Sequence, residues 1–372
     1  MKHLYYVANY RMPTERAHGL QVAKMCEAFA KAGVHVTLIA PARGKRRDIF
    51  SYYEIAPNFF VEYLPTWDLT GKIPVIGFLI QSITFARSVV QYVRRKKYAG
   101  SIYSRDQIAL AVLSRRVPNR LYYEVHSMPK RVRAAHRSMF KKMSGFIAIS
   151  RGVCDDLQKA GVQSQRITIA HDGYDPSIRA DTNTRASILH EWKISQDARV
   201  VLYAGSFIKW KGIYILIEAA RVLPSGYAVV LIGGTENELR RIQNETAEMP
   251  RNVTLVKQMS QRALIERSSA ADILVIPNSG SERISSVYTS PMKLFWYLAT
   301  GKPIVASDVP ALRKIADRYD GVYFCPPDDS SALAVAIQKA ATGPRIFHRD
   351  VSSYSWDARA RKILDAIGVS TS

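Results

Sequence analysis

The chain has 372 residues, a hydrophobic share of 47% and a formal charge of +22. That length suits two domains better than one, and that apolar content excludes a disordered chain. So large a positive charge draws anions, whether nucleic acid, lipid headgroups or a phosphorylated substrate, without choosing among them. By count, residues 1–179 hold about 29 Lys and Arg against about 12 Asp and Glu, and the remainder about 24 against 19, so most of the surplus is N-terminal. Cys26, Cys154 and Cys325 are far apart and lack metal-ligand spacing. They read as small buried hydrophobes of a reducing compartment, and no metal site is predicted. Met1-Lys2-His3 leads straight into a strand, which predicts a cytoplasmic chain without a signal peptide.

The first predicted strand is Lys2–Asn9, followed by the loop YRMPTERAHG and an amphipathic helix from Gly19 to Lys31. Gly33 stops that helix, and Val34–Ala40 is the second strand. This opening is Rossmann-like, but the loop lacks G-x-G-x-x-G and so is not read as a dinucleotide site. From Phe59 to Lys97 the text becomes FFVEYLPTW, then IPVIGFLIQSITFARSVVQYV, then RRKKY. Ile73–Ala86 is a charge-free apolar run of about fourteen residues, short of the roughly twenty that span a bilayer. Two readings stand: one or two core helices, or a monotopic membrane contact whose apolar face lies beside Arg94, Arg95, Lys96 and Lys97. A short strand (Ser101–Tyr103), a helix (Gln107–Arg116) and a strand (Leu121–Val125) ending in His126 follow. Lys130–Lys142 is a strongly basic helix. Gly145–Ile149 and Ile167–Ala170 are strands around a helix over Arg151–Ala160. Pro176–Trp192 reads as a linker plus a helix.

The second half restarts the alternation, with strands at Val200–Ala204, Tyr227–Ile232, Val253–Val256, Ile273–Ile276, Pro303–Ala306 and Val322–Phe324. The order is βα throughout, which predicts two parallel sheets with helices on both faces. A last helix is predicted near Ser355–Ile367. The most informative stretch is Asp272–Pro310, DILVIPNSGSERISSVYTSPMKLFWYLATGKPIVASDVP. It reads as a buried strand, a Ser-rich loop, a helix over Met292–Ala299 with Ser290 as its cap and Pro291 in its first turn, and another strand. Ligands of such units bind beyond the strand ends, where free N–H groups and the helix dipole favour an anion. Two such domains in tandem place the ligand in the cleft between them. Lys211, after a strand and bracketed by Gly205 and Gly212, stands where a diphosphate would need a point charge, and Lys209 is close in sequence. Gly233-Gly234 marks another strand end that can approach a ligand closely.

Five separated segments, in order, carry a resemblance to the family 4 glycosyltransferases over essentially the whole chain. They are MPTERAHGLQVAKMCEAFAKAG, Glu124–His126 (EVH), His171–Asp175 (HDGYD), Tyr203–Gly212 (YAGSFIKWKG) and Ser290–Asp308 (SPMKLFWYLATGKPIVASD). The closing SYSWDARARKI is similar to the family's last helix, which returns to the first domain. The resemblance implies an α/β chain of GT-B fold: two Rossmann-like parallel-sheet domains facing across a cleft, an acceptor-side domain over 1–180 and a donor domain over 181–354, with about 355–372 packing back on the first. It also implies metal-independent transfer of a hexosyl unit from a UDP- or GDP-sugar with retention at the anomeric carbon, the donor being a substrate and no cofactor being needed. The absence of any D-x-D motif agrees.

Residue by residue, Lys211 matches the lysine on the donor diphosphate and His126 the histidine near the donor sugar. Gly19 matches the loop that reaches the donor from the first domain. Gly205, Ser206, Lys209 and Gly233 line the donor side, and Ser290, Pro291, Met292 and Lys293 match the turn and helix tip that meet the phosphates. Two departures stand out. Tyr288 and Trp296 occupy the places of the family's Glu-x₇-Glu, the second of which grips the donor ribose, so Trp296 either stacks on the donor or fills core. Ser206 replaces the family arginine, so the diphosphate would lean on Lys211 and on Lys209 or Lys293. The expected acceptor is a glycan or lipid-linked glycan of surface-polysaccharide or glycolipid assembly, with the basic N-terminal domain resting on an anionic membrane surface at the inner face of the cell membrane. The alternative is a catalytically weak GT-B binding or partner subunit, motivated by Trp296. No nucleic-acid partner is expected, since the basic residues form no known RNA or DNA module.

Overall fold

In a computed structural model the described residues are 3–44, 47–96, 100–178 and 184–369. Lys97 of the basic run and part of the anticipated linker lie outside them. The chain divides into two compact units, Met1–Asp172 with Trp356–Ser372, and Gly173–Ser355.

The first unit alternates β1 (His3–Val7), α1 (Ala17–Lys31), β2 (His35–Pro41), α2 (Ile49–Tyr53), β3 (Phe60–Leu64), α3 (Pro74–Lys96), β4 (Ser101–Ser104), α4 (Gln107–Leu113), β5 (Leu121–Val125), α5 (Ala134–Lys141), β6 (Gly145–Ala148), α6 (Arg151–Lys159) and β7 (Ile167–Ile169). The seven strands are parallel in the order β3-β2-β1-β4-β5-β6-β7. Every β-to-α loop therefore rises from one edge of the sheet, the edge that takes ligands in such folds. The apolar run after β3 forms one helix, α3, not two. The basic helix is shorter than its charge pattern: residues 130–133 are loop, and α5 begins only at Ala134.

The second unit runs α7 (Arg185–Glu191), β8 (Arg199–Ala204), α8 (Ile213–Val222), β9 (Tyr227–Ile232), α9 (Glu236–Glu245), β10 (Val253–Val256), α10 (Gln261–Arg267), β11 (Ile273–Ile276), α11 (Met292–Ala299), β12 (Ile304–Ser307), α12 (Pro310–Ala316), β13 (Val322–Cys325) and α13 (Ser330–Thr342). Its six parallel strands are ordered β10-β9-β8-β11-β12-β13. Alternation along β8 shows why the sheet is covered on both faces. Val200, Leu202 and Ala204 pack with Leu294, Phe295 and Leu298 of α11 on one side. Val201 and Tyr203 pack with Ile213, Leu216 and Ile217 of α8 on the other.

Helix starts follow short polar side chains that satisfy first-turn N–H groups. Asp106 accepts from Ala109 N at 2.5 Å, Ser150 from Val153 N at 3.3 Å and Asp329 from Ala332 N at 2.8 Å. Thr235 and Glu238 form a reciprocal capping box on α9. The last helix, α14 (Trp356–Ala366), belongs to the first unit and packs on α1. Tyr122 Oη donates to the Ile367 carbonyl at 3.0 Å, tying its end to β5.

Candidate functional site

In the second unit, the loop after β8 carries Gly205 at φ +143°, a short 3-10 turn over Lys209–Lys211, and Gly212 at φ +74°. Both φ values lie where side chains are disfavoured, and space forbids one as well. A Cβ on Gly212 would sit 1.6 Å from the Pro277 carbonyl oxygen, and one on Gly233 would sit 2.0 Å from that of Gly205. The ends of β8, β9 and β11 therefore meet backbone to backbone. A Cβ on Gly205 would lie 3.0 Å from Lys293 Nζ, so the bare glycine leaves the niche in which that ammonium sits.

Lys293 lies in the first turn of α11 and is almost fully buried. Its ammonium stands 3.7 Å from the centre of the Tyr203 ring and has no hydrogen-bond partner. Tyr203 in turn donates its hydroxyl to the Ser206 carbonyl at 2.9 Å, which fixes the ring as a floor. The Tyr297 hydroxyl, one turn along α11, accepts from Ala204 N at 2.9 Å and pins this helix to the end of β8. Lys211 is half-buried, with Nζ 5.3 Å from the Trp210 ring centre. Burial lowers its pKa to about 8. Burial first, and the charge of Lys211 second, push Lys293 well below the usual lysine range. Neither lysine forms an ion pair among the described residues. A buried cation normally acquires a carboxylate partner, because desolvating a lone charge is costly. Here Lys293 and Lys211, close enough for the charge of one to act on the other, have none among the described residues.

The other anticipated donor residues sort themselves around this pair. Lys209 is exposed on the 3-10 turn, and its charge is not among those acting on Lys293. Ser206 is half-buried. The anticipated cap is corrected: Pro291 is the N-cap of α11, in extended conformation, and no side chain caps the helix. Ser290 precedes the cap and is buried, and Met292 is the first helical residue. Leu294 N bonds the Pro291 carbonyl at 2.8 Å, which leaves the N–H groups of Met292 and Lys293 as the donors this tip can offer an anion. Tyr288 ends a π-helical turn (Ile284–Tyr288) and is buried under the Arg283 guanidinium, 5.1 Å from its ring centre. Trp296 goes to the core: it is 5% exposed and meets Tyr297 edge to face at 4.3 Å, so it fills space behind the helix.

In the first unit the centre is Glu124, fully buried near the end of β5. It accepts from Gln21 Nε2 at 2.7 Å and from the Tyr103 hydroxyl, and lies 2.5 Å from His126 Nε2. Arg359 of α14 approaches its Oε1 at 3.4 Å and Asp172 at 3.9 Å, and donates from Nε to the His171 carbonyl at 2.7 Å. Burial favours a neutral acid, yet Arg359 and the bond from His126 outweigh it and hold Glu124 well below the usual carboxylate range. With Glu124 ionised, Nε2 of His126 carries the hydrogen and Nδ1 keeps its lone pair. Burial and the Arg105 charge lower the His126 pKa, so the ring is neutral at neutral pH. His18, at the start of α1, is lowered to about 4 by burial and by the charges of Arg105, Arg16 and His126.

Gly19 is corrected. It lies inside α1 rather than in a loop, and its N–H bonds the Arg16 carbonyl at 2.9 Å. A Cβ there would meet Tyr53 Oη at 2.2 Å. That hydroxyl bridges both backbone groups of Thr14, at 2.8 and 2.9 Å, so the glycine admits Tyr53.

Comparison with known proteins decides the family. The sequence profile described as Glycosyltransferase Family 4 matches residues 19–178, and that described as Glycosyl transferases group 1 matches residues 198–342. The chain belongs to the family 4, group 1 glycosyltransferases. It is 26% identical over 247 residues to D-inositol 3-phosphate glycosyltransferase of Xylanimonas cellulosilytica, a match over 60% of this chain and 57% of that protein. Matches to four curated relatives span between 36% and 60% of their lengths. Sucrose-phosphate synthase from Thermosynechococcus elongatus superposes with a TM-score of 0.73 at 18% identity, over 100% of this chain and 95% of that one. Anabaena HepE in complex with UDP-glucose does so at 0.69 and 17%, over 100% and 97%. Both share the GT-B architecture of paired parallel-sheet domains.

Within this family 4 chain, Arg359, Gln21, Tyr103, Tyr203 and Tyr297 contact or position the candidate site residues and were not singled out by sequence reasoning. Arg359 had one signal, the family-like SWDARARKI, but nothing in the sequence names Glu124 as its partner. The tyrosines are indistinguishable from core residues until α11 and β4 are placed.

Proposed function

We propose that the protein transfers a hexosyl unit from a UDP- or GDP-sugar to a glycan or lipid-linked glycan acceptor, with retention and without a metal ion. The observation that carries this is the pair Lys211 and Lys293, one half-buried and one almost fully buried, both with lowered pKa and neither with a carboxylate partner among the described residues. A nucleoside diphosphate supplies the missing negative charge. It is already a weak base, so its departure from the anomeric carbon calls for fixed positive charge and N–H donors more than for a proton donor. Lys211, Lys293 and the tip of α11 offer both. The family resemblance assigns His126 to the transferred sugar, and its neutral ring, bonded to Glu124 through Nε2, keeps the Nδ1 lone pair to accept from a hydroxyl. Retention and metal independence rest on the family resemblance, and the solved relative with UDP-glucose supports a uridine donor.

The burial of Trp296 leaves α11 without a carboxylate for the donor ribose, which favours the second reading, a binding or partner subunit with weak catalysis. Thermal-shift screening across UDP, GDP, their sugars and the free sugars separates the two. A ligand that binds only the native state raises its melting temperature. The enzyme reading expects a rise with one nucleoside diphosphate and its sugar, and release of that diphosphate when acceptor is added. No rise with any of them would refute it.

A further inference from the structure

A second feature of the first unit lies away from its charged centre. Seven large apolar side chains between residues 67 and 79 face solvent, among them Trp67 at 72%, Val75 at 83% and Ile76 at 58% exposure, with Ile73, Phe78 and Leu79 between 45% and 49%. They occupy the strap after β3 and the first two turns of α3. A contiguous apolar surface of this kind on a soluble unit marks an interaction site.

The patch is built, not frayed. Trp67 N donates to Thr84 Oγ1 at 3.1 Å, and Ser88 Oγ donates to the Pro65 carbonyl at 2.8 Å. Arg43 Nε lies 2.6 Å from Asp68, whose other oxygen accepts from Thr70. Gly77 lets the strap close on the helix: a Cβ there would sit 2.4 Å from the Leu69 carbonyl oxygen. The strap that leads into α3 is thus tied down at Pro65, Trp67, Asp68 and Leu69.

The helix changes character along its length. By length and composition α3 is the one helix among the described residues that could cross a membrane. Its second half is committed elsewhere, with Phe85, Ala86, Val89 and Val93 in the protein core. Only the first half is free, which fits a helix that rests in an interface and not one that spans.

Charge chooses the occupant. The strap and α3 leave the sheet edge where β3 ends, and the loop into α5 leaves the same edge where β5 ends. By the right-handed crossover rule α3, α4 and α5 share one face, and α3 packs on α4. Lys130, Arg131, Arg133, Arg137, Lys141 and Lys142 are all exposed, and no acidic residue occurs from Ser127 to Ser150. Apolar wedge and cation row on one face match an anionic lipid surface, with acyl chains for the first and headgroups for the second.

We propose that this face docks on an anionic bilayer, with Trp67–Leu79 inserted at the level of the headgroups and the α5 cations on lipid phosphates. The His126 edge then lies at the lipid surface, where a lipid-linked acceptor presents its sugar. That last point rests on the proposed glycosyl transfer; the docking itself does not.

The test is flotation of the full chain with phosphatidylcholine vesicles, with and without phosphatidylglycerol, beside Val75→Ser/Ile76→Ser/Leu79→Ser and Arg131→Gln/Arg133→Gln/Arg137→Gln. UDP binding to each serves as the check on folding, and its loss in the native chain would bear on the donor site alone. The native protein is expected to float with the mixed vesicles. The apolar variant should partition at least about 10-fold more weakly, and the arginine variant should lose its preference for phosphatidylglycerol. Failure of the native protein to float, or equal flotation of the apolar variant, would overturn the proposal. So would a concentration-dependent dimer that the apolar substitutions abolish, since the patch would then be a protein interface.

Discussion

The two units bury charge in opposite ways. Around Glu124 the buried carboxylate is answered: Arg359 approaches Glu124 and Asp172, Gln21, Tyr103 and His126 bond Glu124, and Arg105 beside them donates to Gln21 Oε1 at 2.8 Å. Around Gly205, Lys211 and Lys293 have no counterpart among the described residues. A complete network fixes geometry and keeps a histidine in one tautomer. An incomplete one stores unfavourable desolvation that an anionic ligand can relieve. The contrast separates residues that hold the site from those that bind through it.

Removing one partner from each network breaks the comparison most sharply. Arg359→Met leaves Glu124 buried beside fewer donors and is expected to cost about 3–5 kcal/mol in denaturant unfolding. It should also make stability fall at a higher pH. Glu124 has a depressed folded pKa, so its contribution is present above its unfolded value and lost as pH falls through the folded one; raising the folded pKa moves that loss upward. Lys211→Met and Lys293→Met should do the reverse. Each removes an unanswered charge, so the free protein should be no less stable, while kcat/KM for transfer should drop by about 10²–10³. A lysine variant that loses stability and keeps activity would show that its ammonium is structural.

Much of this was legible in the sequence, and what was not has a physical cause. The β-α alternation required parallel sheets, and Tyr227–Ile232 and Ile273–Ile276 are strands at the expected residues, because buried parallel strands are continuous apolar runs bounded by Gly, Pro or polar residues; the edge strand Val253–Val256 also lies at its expected residues. Phe60–Leu64 was hidden: it is the edge strand of its sheet, only partly buried, and its apolar text runs on toward α3. Lys211 and Lys293 could be singled out as neighbours of strand and helix ends, yet the lack of acids around them appears only when the chain is folded. Gly19 was placed at a helix start by the sequence, but the contact that demands a glycine there comes from Tyr53, 34 residues on. Ser290 was misread because Pro291 takes the cap position itself. Arg359 and Glu124 are far apart in sequence, and no local pattern joins them.

The most direct test of the central claim is proton uptake on UDP binding, measured calorimetrically near pH 8 in buffers of different ionisation enthalpy. Burial holds Lys211 near pKa 8 in the free protein, and a bound diphosphate should raise it, so binding should take up protons and weaken as pH rises past 8. We expect uptake of a fraction of a proton to about one proton per UDP in the native protein, reduced in Lys211→Met. Binding with no proton uptake, at an affinity unchanged by Lys211→Met, would contradict the account.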